Sequence, residues 1–330
     1  MKLAFLNATG PDGYTALMWA AMLIRVPMMR FLVHHGAHVD AMNNYRETAL
    51  VFAITSRSAE AVKCLVELNA DVNTIDIHGM TPLLLALKCR SGDEIVRCLV
   101  QHGASVNVGD PDGYLPVHYA TVLEAHDSLD CLAAAGAHMD GIDNKGRSAM
   151  HLAAKANDGE GVGKLHQLGA SVNLQDYCLR TPLLFAAKEL HQVAAQELLT
   201  LKADPNIAEC IDRTPLHLAA SFFPLNDRGR CRCMEMVQLL HRHNADLNAV
   251  NFYDETPLDE VHKLKGFDIW DYLHAHGAKP GTRGYRSQPS IDPSPADIPN
   301  RDIQDSDISD EDDSDEVDSD MEEGFPQRFM

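Results

Sequence analysis

The feature that most constrains this chain is a motif that returns about every 33 residues over most of its length. In most copies a Thr or Ser precedes Pro or Ala and a short apolar run, as in TPLLFAA at 181–187. The third residues of the copies are Leu17, Leu50, Leu83, Val117, Met150, Leu183, Leu216 and Leu258. Their spacings are 33, 33, 34, 33, 33, 33 and 42 residues, a period that is typical of a solenoid of stacked supersecondary units.

A second series of segments keeps the same register. These segments are GAHVD (36–40), NADVN (69–73), GASVN (103–107), GAHMD (136–140), GASVN (169–173), KADPN (202–206), NADLN (244–248) and GAKPG (277–281). Two series that share one period over eight copies make the repeat assignment specific.

The residue types within one copy predict two helices and a turn. Thr before Pro suits a helix N-cap followed by the first helical residue, where the missing proline N–H is not needed. An amphipathic stretch such as EAVKCLVELNA predicts a second helix, and the Gly or Asn after it favours a left-handed cap. The Asp- and Asn-rich segment that follows, such as NTIDIHG, predicts a turn into the next copy.

On these motifs the chain resembles the ankyrin-repeat family, whose unit carries T-P-L-H-x-A. The resemblance covers residues 10–281 and implies a mainly α fold, a solenoid of about eight helix-turn-helix units with β-hairpin turns. Residues 1–9 are predicted to be a partial repeat or an N-terminal extension. Two interpretations of this end stay open: Met1 begins a truncated or alternative product, or the short stretch itself covers the core. The polar LDEVH of repeat eight fits a C-terminal cap.

Residues 282–330 have a different composition, with fifteen Asp and Glu against four Arg. Few apolar residues and dense like charge leave little to offset the entropy of ordering, so a disordered acidic tail is predicted. Ser309 and Ser319 each have an acidic residue three positions later and resemble acidophilic-kinase sites. The tail is expected either to modulate partner binding or only to keep the protein in solution.

The candidate chemistry in the sequence favours a protein without catalytic activity, metal or cofactor. His118, His151 and His217 fall on the motif's histidine, which the resemblance assigns to hydrogen bonds around the hairpin. GEGVGK at 159–164 lacks the first Gly and the Ser or Thr of a phosphate loop. The eight cysteines lack paired zinc spacings, and no nucleophile, base and acid stand out from the repeat register.

Net charge and hydropathy narrow the class of partner. A net charge of −20 disfavours general nucleic-acid binding, which needs a basic surface to neutralise phosphates. The sequence contains no apolar run of eighteen residues and no secretory signal at its N-terminus, so no membrane partner is expected. An intracellular protein, cytoplasmic or nuclear, is therefore predicted, and a monomer that binds another protein.

The resemblance implies that partners bind on the concave side, built from hairpin tips and the exposed start of the first-helix face. At such positions the front repeats carry aromatic and apolar candidates, and the rear repeats carry basic ones. The predicted partner-binding residues are Tyr14, Tyr45, Met80, Tyr114, Arg147, Lys155, Arg180, Lys188 and Arg213. Scattered solvated side chains without a common function are the alternative.

The 42-residue spacing in repeat seven indicates an insertion near 222–232 between its two helices. A longer loop costs little stability, because closure entropy grows only with the logarithm of loop length. The inserted segment contains Phe222, Phe223, Arg228, Arg230 and Arg232. A docking loop for a partner and a merely tolerated loop both stay open.

These expectations lead to a main functional hypothesis, a non-catalytic adaptor or scaffold that binds a partner protein through the repeat surface. A substrate-recognition subunit of a ubiquitin ligase is one alternative. Retention of a transcription factor, as by the inhibitor-of-kappa-B proteins, is another, since those proteins also place ankyrin repeats beside an acidic segment.

Overall fold

The computed structural model describes residues 6–10, 12–221, 227–263 and 267–281. The predictions for the acidic tail, including Ser309 and Ser319, lie outside these residues, as do Phe222 and Phe223. Within the described residues the chain forms sixteen helices and no β-sheet. The predicted mainly α repeat architecture is confirmed.

The helices come in pairs, and each pair is one repeat. The first helices, of seven residues each, are α1 (Ala16–Met22), α3 (Ala49–Thr55), α5 (Pro82–Lys88), α7 (Pro116–Val122), α9 (Ala149–Lys155), α11 (Pro182–Lys188), α13 (Pro215–Ser221) and α15 (Pro257–Lys263). The second helices are α2 (Val26–His34), α4 (Ala59–Glu67), α6 (Asp93–Gln101), α8 (His126–Ala134), α10 (Gly159–Gln167), α12 (Gln192–Thr200), α14 (Asp227–Arg242) and α16 (Phe267–Ala275). First helices pack on first helices of the neighbouring repeats, and second helices on second helices.

The first helices begin where the motif predicts. The Thr81 and Thr181 hydroxyls accept hydrogen bonds from the amides of Leu84 and Leu184, at 3.3 and 3.4 Å, and Pro82 and Pro182 are the first helical residues. This arrangement satisfies one of the free amides of each helix start and uses the fixed φ of proline. The recurring threonine–proline pair therefore sets the register of the stack.

The core is a continuous column of side chains from the repeated motif. Its third residues, from Leu17 to Leu258, are at most 2% exposed. The small residues Ala53, Ala86 and Ala186 are fully buried on the first helices and let neighbouring helices approach closely. The apolar motif is thus used for packing between repeats, as predicted from its period.

The turns between repeats are hairpin-like, but among the described residues they contain only one isolated β-bridge, Ile142 with Ser148. In each turn the amide of the first residue donates to the carbonyl of the fifth, at 2.9–3.1 Å, as Asp76 does to Met80. The fourth residue has positive φ, which is +77° at Gly146 and +60° at Leu179. Glycine adopts this conformation without strain, whereas leucine does so at a cost.

The segment predicted as an inserted loop differs from that expectation. Helix α14 begins at Asp227 and is sixteen residues long, against nine in the other second helices. Arg228, Arg230 and Arg232 are therefore helical residues and not parts of a loop between helices. Arg232 donates from its guanidinium to the carbonyl oxygen of Leu190 at 3.0 Å, which ties the added helical turns to repeat six.

Helix α10 contains the glycine-rich stretch 159–164 and is a regular helix of nine residues. The Asp158 carboxylate caps it by accepting from the Gly161 amide at 2.8 Å. A Cβ on Gly159 would lie 2.7 Å from Cγ1 of Val193 on α12. The absent side chain lets the two second helices pack closely, and the stretch forms no phosphate-binding loop after a strand.

Candidate functional site

The hairpin turns are held rigidly enough to present a defined surface. In repeat five the Asp143 carboxylate accepts from the amides of Lys145 and Arg147, each at 2.8 Å. In repeat three Asp76 accepts in the same way from His78 and Met80, at 2.9 and 2.8 Å. These side chains satisfy turn amides and fix the tip conformation.

Neighbouring hairpins are also linked to each other. Backbone amides at the second turn position donate to backbone carbonyls in the preceding repeat. The Ile77 amide donates to the Tyr45 carbonyl at 3.2 Å, and the Tyr177 amide donates to the Lys145 carbonyl at 3.3 Å. Beside each hairpin, an Asn or Asp side chain accepts from an amide of the following repeat, at 2.7–2.9 Å. These acceptors are Asn7, Asp40, Asn73, Asn107, Asp140, Asn173, Asn206 and Asn248.

The basic residues predicted for the rear repeats are mostly engaged in the fold. Arg147, Arg180 and Arg213 form ion pairs with acids four residues earlier, which are Asp143 at 2.8 Å, Asp176 at 2.9 Å and Glu209. Arg147 is 3% exposed, so its predicted role in capturing acidic side chains of a partner is wrong. Arg180 and Arg213 are half-buried and paired. These arginines stabilise the hairpins, and partner binding by the half-buried Arg180 and Arg213 stays a prediction.

The two lysines of the predicted set lie in a different place. Lys155 and Lys188 are the last residues of α9 and α11 and are partly exposed. Their ammonium groups lie at helix C-termini, where a positive charge interacts favourably with the helix dipole. Binding of a partner by these lysines stays a prediction.

The aromatic and apolar residues predicted for the front repeats also divide into two groups. Met80 and Tyr114 are each 7% exposed, so neither side chain presents a large contact area. Burial is the main cause that raises the pKa of the Tyr114 hydroxyl, which accepts a hydrogen bond from Arg147 at 2.7 Å. Tyr14 and Tyr45 are partly exposed and remain available as predicted contacts.

The structure instead exposes a set of apolar side chains along the hairpins that the sequence analysis missed. They occupy the positions directly before and directly after the first turn residue. These two positions are two residues apart, so in extended backbone their side chains lie on the same side of the hairpin. We call this set the hairpin row: Met42, Ile75, Ile77, Ile142, Tyr177 and Val250, which are 41–55% exposed. Aligning the repeats on the turn Asp or Asn would have found it, since these residues recur at two fixed positions.

The motif histidines are structural and electrically neutral. The unprotonated Nδ1 of His118 accepts from the Leu115 amide at 2.9 Å, and its Nε2–H donates to the Arg147 carbonyl at 3.1 Å. His151 and His217 bond in the same way to the carbonyls of Arg180 and Glu255, at 2.9 and 3.0 Å. Burial lowers the pKa of His118 to about 4 and lowers those of the other two. The predicted hydrogen bonds around the hairpin are confirmed.

Other cysteines and histidines that could serve as metal ligands are separated or hydrogen-bonded. Cys231 is exposed, whereas Cys233 is buried and its thiol donates to the Ala219 carbonyl at 2.8 Å. Burial raises the pKa of the Cys233 thiol to about 11. Rings of His241 and His276, one repeat apart, lie 4.9 Å from centroid to centroid, and His241 hydrogen-bonds the Tyr272 hydroxyl at 2.9 Å. In the part of the chain that the structure describes, no three His, Cys, Asp or Glu side chains converge on a metal position.

The helices also lack the combination of length and apolar character that a bilayer requires. Over the described ranges, every helix is too short or too polar to cross a membrane.

Comparison with protein families identifies the repeats. A model described as "Ankyrin repeats (3 copies)" matches residues 2–76, 69–143 and 150–228, and a single "Ankyrin repeat" model matches residues 212–252. Among solved structures, the crystal structure of the ankyrin repeat domain of Bcl-3, described as a unique member of the IkappaB protein family, superimposes with a TM-score of 0.61. The two are 26% identical, and the match covers 70% of this chain and 99% of that domain.

Similar curated proteins match only part of the chain. Ankyrin repeat and SOCS box protein 6 of Homo sapiens is 39% identical over 85 residues, which are 25% of this chain and 20% of that protein. A putative ankyrin repeat protein of Fowlpox virus is 42% identical over 55 residues, 17% of this chain and 21% of that protein. The chain thus spans about a fifth of the length of these curated relatives.

Proposed function

Because the chain belongs to the ankyrin-repeat family, we propose that it is a non-catalytic adaptor that binds a partner protein along the hairpin row. The observation that carries this proposal is the exposure of Met42, Ile75, Ile77, Ile142, Tyr177 and Val250 at equivalent turn positions. Apolar side chains that recur on one surface favour a binding site over isolated exposed residues, which are common on any protein.

The geometry of the repeats suggests what such a partner must offer. Packed helices lie about 8–10 Å apart, so members of the row in adjoining repeats, such as Ile142 and Tyr177, are about 10 Å apart, and members separated by a repeat without one are about 20 Å apart. The hydrogen bonds between neighbouring hairpins keep these intervals fixed, which lowers the entropy lost on binding. A partner that presents apolar side chains at these two intervals along an extended or helical segment matches the row.

The motif histidines support the non-catalytic part of the proposal. Both ring nitrogens of His118, His151 and His217 are engaged in the fold, and burial lowers their pKa. A general acid or base needs a pKa near the working pH and access to a substrate proton. The ring nitrogens of these histidines are already hydrogen-bonded within the fold, so they have no access to a substrate proton.

The test uses the full chain as bait for partners from cell extract, with paired substitutions. Ile77→Ser with Tyr177→Ser removes two exposed members of the hairpin row and is expected to lower partner recovery at least about tenfold, with unchanged thermal unfolding. Val193→Ser on α12 is the matched control, because Val193 is similarly exposed but lies outside the row. Equal recovery by the double variant and the control contradicts the proposal.

The acidic tail adds a second part to the proposal, in which residues 282–330 compete with the partner for the repeat surface. A coil of 49 residues has an r.m.s. span of about 35–40 Å, enough to pass several repeats. Among the predicted basic residues, Lys155 and Lys188 are partly exposed at the ends of α9 and α11 and are the expected contacts of the acidic segment. Deletion of residues 300–330 is expected to strengthen partner binding and to reduce its salt dependence, and no change in either quantity refutes competition.

Two more specific roles compete within this proposal. The similarity to Ankyrin repeat and SOCS box protein 6 favours a substrate-recognition subunit of a ubiquitin ligase, and the similarity to the Bcl-3 domain favours retention of a transcription factor. Affinity purification separates them. Recovery of cullin-complex components supports the ligase role, whereas recovery of a transcription factor without them supports retention.

A further inference from the structure

The tips of the hairpins before repeats six, seven and eight are apolar, unlike those of the hairpins before them. At the second and third turn positions these rear hairpins carry Tyr177 with Cys178, Cys210 with Ile211, and Phe252 with Tyr253. In the hairpins before repeats two to five, each such pair includes a polar or charged residue. Those pairs are Asn44 with Tyr45, Ile77 with His78, Pro111 with Asp112, and Asn144 with Lys145. We call Tyr177, Cys210, Ile211 and Phe252 the rear tip patch.

The rear tip patch is continuous across three repeats. The Cys210 amide donates to the Cys178 carbonyl at 3.1 Å, and the Phe252 amide donates to the Ile211 carbonyl at 3.0 Å, so neighbouring tips are in direct contact. Tyr177 is 55% exposed, and the other three members are partly exposed. Stacked repeats place Tyr177 and Phe252 about 20 Å apart. A segment of about seven residues in extended conformation spans that distance, at about 3.3 Å per residue.

Residues 324–330, with the sequence GFPQRFM, differ in composition from the rest of the acidic tail. The fifteen Asp and Glu residues of the tail all precede Gly324, whereas its two phenylalanines, Phe325 and Phe329, both follow it. Arg328 gives the segment a positive side chain, and Met330 adds a third large apolar group. Such a composition favours contact with an apolar surface, because burial removes these side chains from water.

The described chain ends beside the rear tip patch. The Gly281 amide donates to the Asp259 carboxylate at 2.7 Å, and a Cβ on Gly281 would collide with the carbonyl oxygen of Asp254. Asp254 belongs to the same hairpin tip as Phe252. Residues 282–323 then join Gly281 to the apolar segment, and a coil of this length has an r.m.s. span of about 35 Å. This span exceeds the length of the patch, so the segment can reach all of it.

We propose that residues 324–330 bind the rear tip patch of the same chain, with Phe325 and Phe329 packed on its apolar side chains. Asp212, an exposed acid on the tip of repeat seven, offers an opposite charge to Arg328. The patch shares Tyr177 with the hairpin row, so the bound segment blocks the rear part of the proposed partner site. This regulatory consequence rests on the proposed function, whereas binding of the segment itself does not.

The covalent link determines how fully the segment occupies the patch. A flexible linker gives an effective concentration on the order of 1 mM. Two phenylalanines on a partly exposed surface make a weak contact, and for the isolated segment we expect a Kd of about 0.1 mM. The linked segment is then bound in about ten chains for each one in which it is free. Any competitor for the patch is therefore expected to bind about tenfold more weakly to the unmodified chain than to a chain without the segment.

The experiment uses a labelled synthetic peptide, GFPQRFM, and no partner protein. Fluorescence anisotropy measures its binding to the full chain and to a full-length variant with Phe325→Ser and Phe329→Ser, which is expected to bind the peptide about tenfold more tightly. The variant keeps all fifteen acidic residues of the tail, so competition by acidic charge does not produce this difference. Ile303→Ser with Ile308→Ser, elsewhere in the tail, is the matched control and is expected to behave like the unmodified chain. Equal affinity for the unmodified chain and the phenylalanine variant, or no binding up to about 1 mM peptide, overturns the proposal.

A second pair of variants identifies the surface that receives the peptide. In the chain with both phenylalanines replaced, Tyr177→Ser is expected to weaken peptide binding at least about fivefold, while Ile77→Ser, on a front hairpin and similarly exposed, leaves it unchanged. Circular dichroism checks that each variant is folded, and Ile211→Ser is the substitute if Tyr177→Ser is not. Peptide binding that persists in the folded patch variant, or that Ile77→Ser also removes, overturns the proposal. Such a result leaves the partner site of the hairpin row intact, because recovery of partners from cell extract tests that site separately.

Discussion

The guanidinium of Arg147 donates a hydrogen bond from Nη2 to the hydroxyl oxygen of Tyr114, 2.7 Å away in the preceding repeat. Its Nε donates to the Asp143 carboxylate at 2.8 Å, and the guanidinium carbon lies 5.9 Å from the Tyr114 ring centroid. All of this occurs with Arg147 almost completely buried. A residue that looks like a surface cation in the sequence is a bridge between repeats four and five.

Removal of this bridge is expected to destabilise the array. Arg147→Ala leaves the Asp143 carboxylate buried without its counter-ion, so we expect the free energy of unfolding to fall by about 3–5 kcal/mol. Urea denaturation measures this change. Lys145→Ala, on the exposed tip of the same hairpin, is the control and is expected to change stability by less than about 0.5 kcal/mol.

A double variant separates the cost of the unpaired carboxylate from that of lost packing. Asp143→Asn with Arg147→Met removes both charges. The free energy of unfolding is expected to fall by less in this double variant than in Arg147→Ala alone. An equal or larger loss in the double variant contradicts the ion-pair explanation.

The buried histidines predict a specific loss of stability in acid. The pKa of His118 is about 4 in the folded chain and about 6.5 when unfolded, so only the unfolded chain takes up this proton between these values. The contribution of neutral His118 to the free energy of unfolding is therefore fully present above pH 6.5, and it is lost as the pH falls towards 4. For His118 the loss at pH 5 is about 2 kcal/mol relative to pH 7.

Comparison of His118→Gln with the unmodified chain measures that contribution. Urea unfolding of both proteins at pH 7 and pH 5 is expected to show a smaller acid-induced loss in the variant, whatever its stability at pH 7. The same acid-induced loss in both proteins would show that His118 does not carry this proton linkage.

Two equivalent turn positions predict that adding a side chain lowers the stability of the fold and that removing one raises it. A Cβ on Gly146 would lie 2.7 Å from the Tyr177 amide nitrogen of the next hairpin, and Gly146 has φ of +77°. Gly146→Ala is therefore expected to cost about 2 kcal/mol or more. Leu179 occupies the equivalent position with φ of +60°, so Leu179→Gly is expected to raise stability by about 1 kcal/mol.

Thermal unfolding measures both variants, and Gly103→Ala is the control for backbone strain alone. Gly103 has φ of +87°, and a Cβ added to it would meet no atom within 4 Å. If Gly103→Ala costs as much as Gly146→Ala, close approach of the hairpins is not the cause.

The lengthened helix α14 gives a further stability prediction. Arg232 bonds to the Leu190 carbonyl at 3.0 Å, so Arg232→Ala is expected to lower the free energy of unfolding by about 1 kcal/mol. Arg242→Ala, at the exposed end of the same helix, is expected to change it by less than about 0.5 kcal/mol. Urea denaturation of both variants checks this, and equal effects would exclude a specific contribution from Arg232.

The repeat period was sufficient to predict the helices, because threonine, proline and alternating leucine and alanine determine caps and packing locally. The partner-binding residues were harder to predict, because arginines that recur at one position of the repeat reveal a positive charge but not whether the side chain is buried. An acid four residues before Arg147, Arg180 and Arg213 was visible in the sequence and indicates an i,i+4 pair. The side-chain contact with Tyr114 depends on how two repeats stack, which one repeat's sequence does not specify.

The extra residues of repeat seven illustrate a different limit. A longer spacing shows that residues were added, but both a loop and a longer helix satisfy it. Arg232 supplies contacts with the end of α11 that favour the helix at that point. Such contacts join residues more than forty positions apart and are not visible in local sequence.

Helix α10 is expected to make the thermal stability of the array uneven along its length. Gly161 and Gly163 lie inside it, and each interior glycine costs about 1 kcal/mol relative to alanine. In a linear array, where each unit touches only its neighbours, a weak central unit lowers the cooperativity between the two sides. Repeats one to four and repeats six to eight are therefore expected to unfold as two separate blocks when the array is heated or pulled.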